Sequence, residues 1–360
     1  MRRQDKARRD MGDPTRGETI IRPLVRSPNY APPAPDGSEA ADGEIGRLRR
    51  QLNDETAGAY KRRLQSLTPR YGQVWRDIAI GYAALAAVLV AADLPLPSPW
   101  SAPLVLLAAI LVGYGLAFLQ LFIHEAAHFN LAADRRLNDR LANIFIAWHL
   151  GADAALYRMT HLVHHRNHGL TSDSERSYFQ ALTPRFVVEM LTGVHALRVF
   201  LGRTGAGPAG PRTSSLWPMA RGVLAHLALL SMLLACGAWR AAIAWVIGVG
   251  VFLPFFSTLR QLLEHRSPQA DPAVDYGLRP HGAYTRLFRG GVLAHSFGGA
   301  GFDRHLLHHW EPQVSYTRLP DLEAYLRTTS ARAIIDQRTT TYFQALSGFL
   351  RSDRGRPDVR

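Results

Sequence analysis

Three histidine clusters carry most of the chemistry this chain can do: His124-Glu-Ala-Ala-His128, His161-Leu-Val-His164-His165 and His305-Leu-Leu-His308-His309. Spacings of three and four residues put imidazoles on one face of a helix, so each cluster predicts a helix presenting its rings together. Eight neutral imidazoles crowded into one volume gain nothing structurally and repel when protonated, whereas imidazole is a good ligand for iron, copper and zinc. Zinc closes with four ligands, or with three and a water, so eight histidines imply two ions. An imidazole-rich pair suits iron that activates dioxygen, since zinc has no redox chemistry. The first cluster is also a literal HExxH, in which Glu125 would be the general base of a zinc protease, but that reading explains one cluster and leaves two unused.

Around these clusters, His168 and His149 are expected to support rather than bind metal, and His195, His226, His281 and His295 receive no role. Glu125, Asp153, Asp173, Glu264 and Asp303 are candidate acceptors that would orient imidazole N–H groups.

The elements that must position the histidines are apolar blocks. Ile78 to Ala92 and Pro103 to Ile123 contain no charge, and Val223 to Trp239 with Ala241 to Leu259 form a second pair. About 20 apolar residues cross a bilayer, so the chain is expected to span it four times, in two hairpins. The loop from Phe129 to Met219 carries ten arginines, while the turns Asp93 to Ala102 and Cys236 to Ala241 carry only Arg240. Positive charge stays inside, which places the hairpin tips outside and all three clusters, with both termini, on the cytoplasmic side. A metal transporter or sensor fits poorly, because no charged residue lies within the blocks to mark a pathway.

Residues 1–42 read as a disordered arginine- and proline-rich tail, and 43–76 as a cytoplasmic amphipathic helical segment on the membrane surface. Residues 77–325 form the catalytic membrane domain, and 326–360 a C-terminal cytoplasmic tail. Leu141 to Leu150 and Phe186 to Leu201 are expected to be interfacial helices. The pattern Gly205-x-Gly207-x-x-Gly210 is a linker, because no strand precedes it and Pro208 and Pro211 would break a helix after it. The net charge of +13 lacks the basic stripe of a nucleic-acid module and suits anionic lipid headgroups instead. The single cysteine, Cys236, excludes an iron–sulfur cluster and an internal disulfide, so electrons must come from a separate donor. The chain starts without the apolar stretch of a signal peptide, and its preference for arginine over lysine hints at a bacterial source.

The order HxxxH, HxxHH, HxxHH, the two-hairpin hydropathy, and the context Gly301-Phe302-Asp303-Arg304-His305 through Trp310-Glu311-Pro312, then Leu319-Pro320, resemble the membrane fatty acid desaturases and their hydroxylase relatives over roughly residues 75 to 325. The resemblance implies an all-α membrane protein: four transmembrane helices in two hairpins under a cytoplasmic helical cap carrying three histidine boxes. It also implies two Fe ions with O2 as co-substrate, and an external donor such as a ferredoxin or cytochrome with its reductase. The substrate would be a long-chain acyl or similarly apolar compound in a bacterial inner membrane. His265, in Gln261-Leu-Leu-Glu264-His265, stands where the family carries a further ligand, and Gln261 where a water would be held. The metal set implied is therefore His124, His128, His161, His164, His165, His265, His305, His308 and His309. Glu264-His265-Arg-Ser replaces the Glu-His-Tyr-Gly of alkane hydroxylases, and Pro312 is similar to the acyl desaturases, so desaturation is the expected reaction.

Overall fold

The computed structural model describes residues 43–352, apart from 96, 176–180, 206–215, 269, 272–273 and 275–283. The tail expected at 1–42, residues 206–210 of the glycine pattern and His281 lie outside these. The chain begins with α1 (Gly43–Glu55), α2 (Ala59–Ser66), α3 (Tyr71–Ala92), α4 (Ser98–Leu119) and α5 (Leu121–Ala127). There follow α6 (Arg135–Phe145), a 3-10 turn (Ala147–Leu150), α7 (Ala154–Asn167), α8 (Pro184–Leu191), α9 (Val194–Gly205), α10 (Trp217–Ala235) and α11 (Trp239–Ile247). A π-helical turn (Gly248–Phe252) joins α11 to α12 (Leu253–His265).

Four stretches are long and apolar enough to cross a membrane: Tyr71–Ala92, Pro99–Ala127, Trp217–Ala235 and Trp239–His265. The second runs past its apolar block into the first box and the fourth past its block to His265, whereas the third starts earlier than expected, at Trp217, and ends at Ala235 rather than Trp239. The first runs through position 77, where the sequence placed a boundary, since Val74, Ile78, Gly81 and Leu85 continue one buried stripe. Large apolar side chains such as Ile80, Leu106, Val223 and Leu224 point outward, as lipid-facing residues do. Inside, Ala92, Ala108, Ala109, Ala241 and Ala244 pack together, and such small residues let α3, α4 and α11 approach closely. Asp93, capping the end of α3, accepts the backbone N–H groups of Arg240 (3.2 Å) and Ala241 (3.0 Å) at the start of α11.

Beyond α12 the chain forms β1 (Leu287–Phe288), α13 (Gly291–Phe297), α14 (His305–Trp310), α15 (Leu319–Leu326), α16 (Arg332–Arg338), β2 (Thr339–Thr340) and α17 (Tyr342–Ser352). β1 and β2 pair in parallel, Leu287 opposite Thr339. The region expected as a tail from 326 is thus packed structure as far as Ser352, with Ile335, Tyr342 and Phe349 buried. The 43–76 segment spends its apolar face on the protein: Leu48, Leu52 and Tyr60 join the core that contains Leu322 and Leu326. Glu311, two residues past the third box, accepts the Tyr60 hydroxyl at 2.6 Å and pairs with Arg49 at 2.9 Å. Burial, then the Glu311 charge, pushes the Tyr60 phenol above its ordinary range.

Candidate metal centre

Each box is delivered by a different local device. The helix that crosses as α4 continues as α5, bringing His124 to its last turn and His128 to its C-cap. Asp153 starts α7 by accepting the N–H groups of Ala155 and Leu156, which sets the phase that turns His161 and His164 inward. α12 ends on His265. The third box comes after a left-handed turn at Gly301 (φ 83°), where a side-chain carbon would come within 2.5 Å of Tyr316 Cβ, so only glycine fits between that loop and the segment at Tyr316.

The imidazoles converge in two neighbouring nests. His124, His128, His161, His165 and His308 form one; His164, His168 and His309 with His265, His305 and the shared His309 form the other. In the first, Nε2 to Nε2 separations are 3.0 Å for His128–His161, 2.9 Å for His161–His165 and 2.9 Å for His165–His308. In the second they are 2.9 Å for His265–His305 and 3.2 Å for His305–His309. The nests adjoin, with the His165 and His309 rings 4.6 Å apart.

These spacings fit metal better than hydrogen bonds. A ring nitrogen offers one proton or one lone pair in the ring plane. His161 Nε2 and His165 Nε2 each face two other Nε2 atoms, so protons cannot satisfy every contact. Two nitrogens about 2.1 Å from one ion and at right angles to each other lie about 3 Å apart. His124 is buried with neither nitrogen hydrogen-bonded, and His305 Nδ1 is likewise without a bond, a costly arrangement unless an ion is the partner. Burial first, and then neighbouring imidazoles, hold His128, His165, His305, His308 and His309 well below the usual histidine range. They are therefore neutral at physiological pH, the form that binds metal.

The surrounding carboxylates divide differently from expectation. Asp173 Oδ1 sits 2.8 Å from His164 Nδ1, as an orienting acceptor should. Asp153 is a helix cap that also accepts from Asn143, Asp303 pairs with Arg304, and Glu264 faces Arg260 at 3.6 Å. Glu125 accepts from Asn130 (3.1 Å), Ser315 (3.3 Å) and the Tyr316 N–H (3.2 Å), and these bonds hold it in the fold rather than free it as a general base. Glu175, which sequence reasoning passes over, lies 3.5 Å from His161 Nδ1 and accepts the Gln261 amide at 3.1 Å. Gln261 thus reaches the site through Glu175.

His168, expected in a supporting role, sits inside the second nest, its Nε2 3.2 Å from His265 Nδ1. Its spacing of seven from His161, two helical turns, is the signal in the sequence. The remaining described histidines stay outside: His149 and His226 lie by Trp148 and Trp245, His195 packs on Phe186, and His295 is exposed beside Asp303. No curated protein matches the chain. The family model described as "Fatty acid desaturase" matches residues 98–340, which takes in all three boxes and His265. Four apolar helices, the histidine boxes and that match over most of the sequence agree: the chain belongs to the fatty acid desaturase family, whose members are membrane oxidoreductases.

Proposed function

We propose that this protein desaturates a long-chain acyl or similarly apolar substrate in an O2-dependent reaction at a di-iron centre. The ligands would be His124, His128, His161, His165 and His308 for one ion, and His164, His265, His305 and His309, joined by His168, for the other. The observation that carries this reading is the pairing of two five-imidazole nests, to which the ends of two apolar helices contribute His124, His128 and His265. With imidazole donors and no thiolate, the donor set suits iron. Bound there, two irons would supply the activation of dioxygen that breaking an unactivated C–H bond requires.

The chain's own residues prepare the site. Asp173 draws the His164 proton to Nδ1 and so turns the Nε2 lone pair inward. Glu175, steadied by Gln261, does the same more weakly for His161. The further proposal that Gln261 holds a water rests on this place beside Glu175. Burial of the rings excludes bulk water. An acyl chain would reach the centre from the bilayer along the apolar helices.

In this reading the spans form two hairpins with tips away from the nests. The cap and both termini face the cytoplasm of a bacterial cell, a topology supported by the ten arginines between Phe129 and Met219. A ferredoxin or a cytochrome with its reductase would deliver electrons. Cells expressing the chain should accumulate a product two hydrogens lighter than its precursor, absent with His305→Ala, and the purified protein should hold two irons. A product heavier by one oxygen atom would reassign it to hydroxylation, and a single zinc would overturn the di-iron reading.

A further inference from the structure

We infer that α8 and α9 form a re-entrant hairpin that dips into the bilayer beside α12, its tip from Met190 to Leu197 in contact with lipid hydrocarbon. The sequence predicts helices lying flat on the interface here. The packing is different. Phe186 and Met190 of α8 are buried against Leu262 and Leu263, with Phe255 and Leu259 alongside, so α8 runs along the flank of α12. The turn between α8 and α9 closes through Gly193, left-handed at φ 70°. A carbon added to Gly193 would lie 3.5 Å from the Gly250 carbonyl oxygen and 3.9 Å from the Pro254 ring. Gly250 is midway between Arg240 and Arg260, the charged residues that bound the uncharged stretch of that span. The tip therefore reaches a depth at which the neighbouring helix is wholly apolar.

What the tip exposes agrees with that depth. Val188 and Leu197 are each 56% exposed, and Val194 is exposed beside them. From Met190 to Leu197 there is no charged side chain, and His195 is buried against Phe186. The charges that flank the tip are matched: Glu189 and Arg198, just outside it, pair at 2.6 Å, and Glu189 also pairs with Arg185, near the open end, at 3.2 Å. Long arginine side chains there can carry their guanidinium groups up to the headgroups. Backbone polar groups in hydrocarbon need partners within the protein. At the turn, the Thr192 N–H and hydroxyl both bond to the Val188 carbonyl, and the Gly193 N–H bonds to that of Met190. The approach of this exposed apolar tip to Gly250 and Pro254, within the uncharged stretch of a span, identifies bilayer lipid as its occupant.

The lone Cys236 makes the test direct. In the full chain carrying Cys236→Ser, single cysteines at Thr192→Cys and Leu197→Cys are labelled with a bimane fluorophore and reconstituted in phosphatidylcholine vesicles. Leu224→Cys on the exposed face of α10 serves as the lipid reference and Asp336→Cys on α16 as the aqueous one. Both tip positions should be quenched by lipids carrying a nitroxide within the acyl chain, to at least half the extent seen at Leu224→Cys, and should resist iodide. Iodide quenching equal to that at Asp336→Cys, or quenching only by headgroup nitroxide, would overturn the proposal. Iron content equal to the parent's in each variant ensures that the folded protein is being read, and the outcome does not depend on the reaction catalysed.

Discussion

The two nests are built to different standards of support. The first draws all five imidazoles from the boxes, and the carboxylates beside it stand off, Glu175 at 3.5 Å from His161 Nδ1 and Glu125 at 3.7 Å from His124 Nδ1. The second adds His265 from the end of a span and His168 from beyond the second box, and Asp173 grips His164 at 2.8 Å. Both nests draw ligand candidates from helix ends, but the second also depends on two histidines outside the boxes, and the short carboxylate contact falls there. Their difference teaches that box spacing alone accounts for one histidine nest, whereas the other depends on residues outside the boxes.

Removing a ligand should break the comparison most severely. His308→Ala in the first nest and His305→Ala in the second should each reduce iron from two to about one per chain and abolish turnover, because neither nest alone makes a two-metal centre. Metal analysis of membranes with unchanged protein content checks this. Retention of two irons and full activity in either variant would remove that histidine from the centre.

A milder change should separate the nests. Asp173→Asn should weaken metal binding in the second nest by about 10- to 100-fold, the usual cost of losing a carboxylate behind a ligating histidine. Glu175→Gln should cost less than about tenfold in the first, since a contact of 3.5 Å is weak. Chelator titration of the two variants compares them, and equal losses would erase the proposed asymmetry.

The smallest effect concerns an imidazole in neither nest. Burial, then His226, holds His149 at about 3, so between there and the ordinary histidine value of about 6.5 the unfolded chain takes up a proton that the folded one does not. Stability from this residue is thus complete above about pH 6.5 and falls by up to about 1.4 kcal/mol for each unit below it. Melting of metal-loaded protein at pH 7 and 5 should show a smaller acid-induced loss for His149→Phe than for the parent. Equal losses would show that His149 plays no part in the pH response.

How much of the fold and the centre is legible in the sequence depends on the range of the forces involved. The boxes and the four spans rest on local periodicity and composition, and both are present, although the spans' ends lie several residues from the expected ones. His168 escapes a sequence reading because its inclusion depends on α12 ending beside α7, a packing fact with no local trace except the seven-residue spacing. Asp153 and Asp303 look like orienting acceptors by proximity in sequence, yet one caps a helix and the other pairs with its neighbour Arg304. The helical structure after residue 326 is hidden because its apolar residues find partners far away, such as Phe349 in the cluster with Leu262.

The bond from Tyr60 to Glu311 spans 251 positions of sequence and sets an order of events for biogenesis. The N-terminal segment leaves the ribosome early and must wait for nearly the whole protein before its partner appears. Both nests also need residues of the last box, so a nascent chain stopped before His305 would carry its membrane spans but lack part of each nest. On the di-iron reading, metal could therefore fill a complete centre only after the last box has been made, so loading would follow synthesis of the spans rather than guide it.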